Sequence, residues 1–77
     1  MIRFRFKELL ADKSFKENRR VTIEEVARET GVHRTTLSKI SNKNGYSTTT
    51  EVLDSLCEYF GCEISEIAEH IKKDAQT

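Results

Sequence analysis

The sequence contains no proline and no tryptophan, only three glycines, and two cysteines. That scarcity of turn formers, with charged residues at 34% of the chain, suits a compact helical domain better than a sandwich, a barrel or a disordered tail. The two cysteines, Cys57 and Cys62, make a C-x4-C with no second pair, and His33 and His70 lie far from them. A zinc site wants four ligands in paired short spacings, so no metal site is expected. A disulfide is unfavoured in a reducing compartment, which leaves the cysteines as small core hydrophobes. Long apolar runs are also lacking. The opening stretch MIRFRFKELL carries charges through its apolar residues, so it is neither a signal peptide nor a membrane span, and a cytoplasmic protein is expected. Seventy-seven residues leave room for one domain, residues 1–77, and no second core.

Net charge is missing too, but only in the sum. Residues 1–43 hold eleven Lys/Arg against six Asp/Glu, which is +5, and residues 44–77 hold two against seven, which is −5. The chain is a dipole, basic in front and acidic behind, with one part suited to a polyanion and another to a different partner.

Apolar spacing predicts five helices and no strand. Ile2, Phe4 and Phe6 alternate as a strand would, yet Ile2, Phe6, Leu9 and Leu10 fit a helical face, giving a first helix from about Arg3 to Lys13. A polar connection follows from Ser14 to Arg20, with Phe15 as its apolar anchor. The second helix opens on a capping box, Thr22-Ile23-Glu24-Glu25, with Val21 and Val26 placed as a hydrophobic staple. Gly31 stops it in the left-handed conformation. A third helix runs from His33 or Arg34 to about Asn42, with Leu37 and Ile40 facing inward. Thr48 to Glu51 offers another capping box for a fourth helix bearing Val52, Leu53, Leu56, Cys57 and Phe60, ended by Gly61. Ile64, Ile67, Ala68 and Ile71 mark a fifth, with Lys72 and Lys73 at its C-terminal dipole and residues 72–77 as a frayed tail.

The junction at Gly31 meets the demands of a helix-turn-helix. Two helices crossing at about 100° need a small residue where their backbones approach, a glycine in the turn, an apolar plug and inward residues from each helix. Ala27, Gly31, Val32, Val26, Leu37 and Ile40 fill those places. The third helix then opens on four polar residues, His33-Arg34-Thr35-Thr36. In this motif the first turn of the second helix enters the major groove and meets base edges instead of a core.

The residues TIEEVARETGVHRTTLSKI, followed by STTTEVLDSLCEYFGCEISEIAEHI, resemble the Cro/CI-type (Xre-like) helix-turn-helix family of phage and bacterial regulators over most of the chain. The resemblance implies an all-α five-helix bundle of the phage-repressor type. It also implies sequence-specific binding of double-stranded DNA by a homodimer on a palindromic operator. The Ser14–Val21 connection reads longer than the family's usual tight link, and the usual Asn-Gly after the third helix is here Asn42-Lys43-Asn44-Gly45.

By resemblance, base contacts fall on Arg34, Thr35, Ser38 and Lys39. The chemistry agrees, since Arg and Lys pair with guanine O6/N7 and Thr bonds a base or touches a thymine methyl. Phosphates fall to the backbone amides of Thr22, Ile23 and Glu24, where the helix dipole favours an anion, and to Asn42, Lys43 and Tyr46 at the far end of the reading helix. Thr36 sits at the margin. Arg19 and Arg20 are either phosphate ligands or a solvated basic loop, and Arg3 and Arg5 supplement them. His33 is either a cap substitute or, when protonated, a phosphate contact. Helix 5 and the rear of helix 4, around Tyr59, Ile64, Ile67 and Ile71, are the expected dimer contact.

No cofactor, small-molecule ligand or membrane partner is indicated. Glu63, Glu66 and Glu69 are spaced by three, but no carboxylate is paired with a His or Lys in apolar surroundings. A Ser/His/Asp set and a glycine-rich phosphate loop are both missing, so no enzyme is expected. The rival reading is a protein-interaction module or antitoxin, which the acidic second half would suit. Against it, no acid lies between Val32 and Thr50. A DNA reader needs that stretch free of acids; an adaptor does not.

Overall fold

Two threonine hydroxyls open helices of this chain and three left-handed residues close them. The computed structural model describes residues 1–72. Its elements are β1 (Ile2–Phe4), α1 (Phe6–Glu17), α2 (Ile23–Thr30), α3 (Arg34–Asn42), α4 (Thr50–Phe60), α5 (Ile64–Ile67) and β2 (Ala68–His70). Lys73 and residues 74–77 of the expected tail lie outside the described residues.

Thr22 caps α2 by accepting from the Glu25 amide at 3.2 Å, and Thr49 caps α4 by accepting from the Val52 amide at 3.2 Å. The second cap falls one residue later than the expected Thr48. Three consecutive threonines carry the same hydroxyl, so composition alone does not choose among them. The other half of the Thr22 box is not made, because the Glu25 carboxylate turns to Arg19 instead. Asn18, Gly31 and Gly61 end α1, α2 and α4 with φ of 53°, 76° and 66°.

Asn18 corrects the reading of the first helix. α1 starts at Phe6 and continues through Glu17, because nothing in Ser14-Phe15-Lys16-Glu17 breaks a helix, and asparagine is among the few residues besides glycine that stop one left-handed. The link to α2 is therefore short, and the Ser14 hydroxyl tightens it by accepting from the Val21 amide at 3.0 Å. Phe15 anchors nothing; it is 86% exposed.

The ends of the described chain form the one feature outside the all-α expectation. β1 pairs antiparallel with β2, placing Ile2 opposite His70, Arg3 opposite Glu69 and Phe4 opposite Ala68. Ile71 donates its amide to Met1 O at 2.8 Å, the Met1 amine donates to Ile71 O at 3.2 Å, and the Arg5 amide donates to Ile67 O at 2.8 Å. The Arg3 guanidinium pairs with Glu69 across the ribbon and with Glu8 of α1. α5 thus stops at Ile67, Ile71 is not helical, and Lys72 is not at a helix end. A short helix gains few hydrogen bonds for its nucleation cost, whereas the extended chain here pairs its backbone with β1.

Phe6, Val21, Val26, Val32, Leu37, Ile40, Leu56 and Ile67 form one buried cluster, with Ile23, Ala27, Val52, Cys57, Phe60 and Cys62 packed around it. Every helix supplies at least one member. Phe60 meets Phe6 edge-on at 5.8 Å, a favourable arrangement for aromatic rings. Cys57 and Cys62 are free and half-buried; burial first, and then the neighbouring Cys57, pushes the Cys62 thiol up to about 11. The helix-turn-helix thus sits on a core to which both ends of the described chain are tied.

Candidate nucleic-acid interface

Three hydrogen bonds fix the turn between α2 and α3. The Gly31 amide donates to Ala27 O at 2.9 Å, the Thr30 hydroxyl donates to Val26 O at 2.7 Å, and the Val32 amide donates to Thr30 Oγ1 at 3.2 Å. Sequence reasoning passed over Thr30; its signal is a hydroxyl residue in a last helical turn, able to bond back to the i−4 carbonyl. Val32 follows into the core and sets the direction of α3.

α3 turns Leu37 and Ile40 inward, both buried. At 100° per residue, positions 35, 38 and 39 fall on the opposite side and position 34 at its edge, about a quarter-turn from the Leu37–Ile40 direction. Arg34, Thr35 and Lys39 are exposed and Ser38 and Thr36 half-buried, so the four expected base-reading positions share one outward surface. His33 is the N-cap residue, but its side chain makes no capping bond, so it is not a cap substitute in that sense.

One acid does reach this surface, from the neighbouring helix. Arg34 Nε lies 2.8 Å from Glu24 Oε2, with the side chains 66% and 60% exposed. Glu24's own backbone amide, and after it the Arg34 guanidinium, hold its carboxyl below the usual carboxylate range. The stretch from Val32 to Thr50 is free of acids in sequence, yet the fold lays a carboxylate beside its first cation.

The expected phosphate ligands divide. α2 begins at Ile23, so the Ile23 amide has no intrahelical carbonyl, while the Glu25 amide is taken by Thr22 and the Glu24 amide faces its own carboxylate. The anion position at this N-terminus is therefore partly filled by Glu24 itself. Arg19 is held by two carboxylates, with Glu25 at 2.7 and 2.6 Å and Glu17 at 3.0 Å, and a phosphate would have to displace both. Arg20 is exposed and enters no ion pair among the described residues. Arg3 is committed to its two glutamates.

At the far end of α3, Asn42 reaches Ser38 at 3.5 Å, Lys43 is the exposed C-cap residue, and Tyr46 is half-buried against the core. A hollow of about 210 Å³ opens between this end and the start of α1, lined by Lys43, Asn42, Asn44, Arg3, Glu8 and Lys7. Lys7 was not a candidate from the sequence. Only the packing of α1 against α3 brings Lys7 to the same hollow as Lys43, and no local pattern carries that information.

No helix among the described residues is long and apolar enough to cross a membrane. Neither a characterised protein nor a solved structure matches the chain. A profile of the Cro/C1-type helix-turn-helix DNA-binding domain, however, matches residues 5–73, a span holding all five helices and the turn at Gly31, and the chain belongs to that family.

Proposed function

We propose that the chain recognises a specific sequence in double-stranded DNA as a transcriptional regulator, with α3 in the major groove. Arg34, Thr35, Ser38 and Lys39 meet base edges there, where guanidinium and ammonium pair with guanine and hydroxyls accept or donate as the base requires. Lys43, Asn42, Lys7 and Arg20 hold phosphates on either side, with the Ile23 amide at the α2 N-terminus and with Thr22, Thr36, His33 and Tyr46 at the margins. These contacts fix register and affinity, and the α3 side chains fix sequence preference. The observation that carries the reading is the outward side of α3: a polar, exposed surface with two cations, backed by Leu37 and Ile40 in the core of a DNA-binding family fold.

One recognition helix spans only a few base pairs, so two copies bind half-sites about 34 Å apart on a palindromic operator. The exposed Ile64, at 54%, with the half-buried Tyr59 and Ile71, supplies the contact between copies; Ile67, fully buried in the core, does not.

The test is affinity for random duplex DNA against salt. If four phosphates are neutralised, raising salt from about 50 to 200 mM lowers the affinity about 150-fold, and the logarithm of affinity falls linearly with the logarithm of salt. Affinity that stays flat across that range contradicts the reading and favours a protein partner.

A further inference from the structure

Arg34 is a long, flexible cation at the first position of α3, and a flexible side chain pays entropy when it is fixed on a base. The Glu24 contact changes that. It is an ion pair centred on Nε, 2.8 Å from Glu24 Oε2, and it leaves the two terminal Nη groups without a partner among the described residues. A guanidinium gripped by its inner nitrogen keeps its outer pair for an end-on, two-bond approach to an acceptor edge such as guanine O6/N7. Glu24 is the second residue of α2, between the Thr22 cap and the Glu25 amide that the cap holds, so its backbone position is fixed by the motif.

We propose that Glu24 is a positioning residue for base reading: its carboxylate pre-orients Arg34 and, by its charge, disfavours DNA on which Arg34 finds no guanine. On the right sequence the Arg34 charge is shared between Glu24 and the base edge. On the wrong one Glu24 stands as a carboxylate at the helix N-terminus that a phosphate would otherwise use, and the two anions repel. The carboxylate thus trades overall affinity for discrimination. This role rests on α3 being the base reader.

The experiment uses the full chain with three duplexes: the site it selects from a randomised library, that site with the Arg34-dependent guanine replaced, and random DNA. Arg34→Ala lowers the ratio of selected to random affinity by about 5–150-fold, the worth of one bidentate pair. Glu24→Ala lowers the same ratio by about 2–12-fold, the cost of fixing one mobile side chain, at the same base position, and raises affinity for random DNA. Glu24→Gln keeps an oxygen for Nε but not the charge, so its ratio falls between those of the parent chain and Glu24→Ala, while random DNA still binds more tightly. In an Arg34→Ala background, Glu24→Ala changes the ratio no further. A purely structural role for Glu24 would shift the melting temperature and move all three duplexes alike, which overturns the proposal. It is also overturned if Glu24→Ala leaves the ratio intact while Arg34→Ala collapses it, or if Glu24→Gln fails to rescue. Should Arg34→Ala itself leave the ratio unchanged, the failure lies with α3 as the reader.

Discussion

Arg34 and Lys43 carry the same charge at opposite ends of α3, where different work falls to each. Arg34 lies on the outward side of the first turn; Lys43 lies beyond the last, in the hollow shared with Lys7. Arg34→Ala is therefore expected to narrow the gap between operator and random DNA by about 1–3 kcal/mol. Lys43→Ala, and equally Lys7→Ala, is expected to weaken every duplex alike and reduce the salt slope by about 1. Equilibrium titrations of the variants on both DNAs separate the two patterns. Burial makes a further distinction among single residues. Leu37→Ala should cost about 2–5 kcal/mol in chemical denaturation because Leu37 is fully buried, whereas Phe15→Ser should change stability by less than about 0.5 kcal/mol. Leu37, Ile40 and Val26 were legible from spacing alone. Phe15 was not, since an aromatic reads as an anchor until the partner it lacks is known. The Glu24–Arg34 pair was hidden for a similar reason: it joins two helices across a turn.

Elements follow from a handful of local signals, and most of these could be read without coordinates. The Thr22 cap, the Gly31 and Gly61 stops and the inward pairs of α2 and α3 all stand where their residue types place them. Thr22→Ala is expected to cost about 1 kcal/mol by leaving the Glu25 amide without its acceptor. Gly31→Ala should cost about 1–2 kcal/mol from its φ of 76° alone, because a Cβ there meets nothing within 4 Å. Urea unfolding of both variants checks these values, and a neutral Gly31→Ala would contradict the left-handed assignment. The β1–β2 ribbon escaped the sequence because its strands are three residues long and its Arg3–Glu69 pair spans 66 positions. A strand so short declares itself only through its partner. The early end of α5 has the same cause, since Ala68 to His70 are committed to that pairing.

The whole molecule is held together partly by carboxylates that face cations. Arg3 holds Glu8 below the ordinary value of 4.5, Lys13 does so for Glu17, and Arg19 for Glu25. Groups depressed in the folded state contribute stability that is present above 4.5 and is lost as pH falls below it through their folded values. The melting temperature should therefore change little between neutrality and about pH 5 on their account and drop below 4.5, modestly, because these pairs are largely solvated. A melting temperature that rises on acidification would contradict the pairing. The charge dipole of the sequence also takes form at this scale. The basic half supplies α2, α3 and the α1 start around the proposed DNA face, and the acidic half supplies α4 and α5. What the charge count did not convey is how many of the front cations are already paired within the fold, Arg3 and Arg19 among them.

The central claim is that this chain reads sequence in duplex DNA through α3, and selection from a randomised duplex library tests it most directly. After successive rounds of binding by the full chain, the account predicts enrichment of one short motif containing a guanine whose preference disappears with Arg34→Ala. A pool that keeps the base composition of the input after those rounds, at salt where the chain still binds DNA, would contradict it.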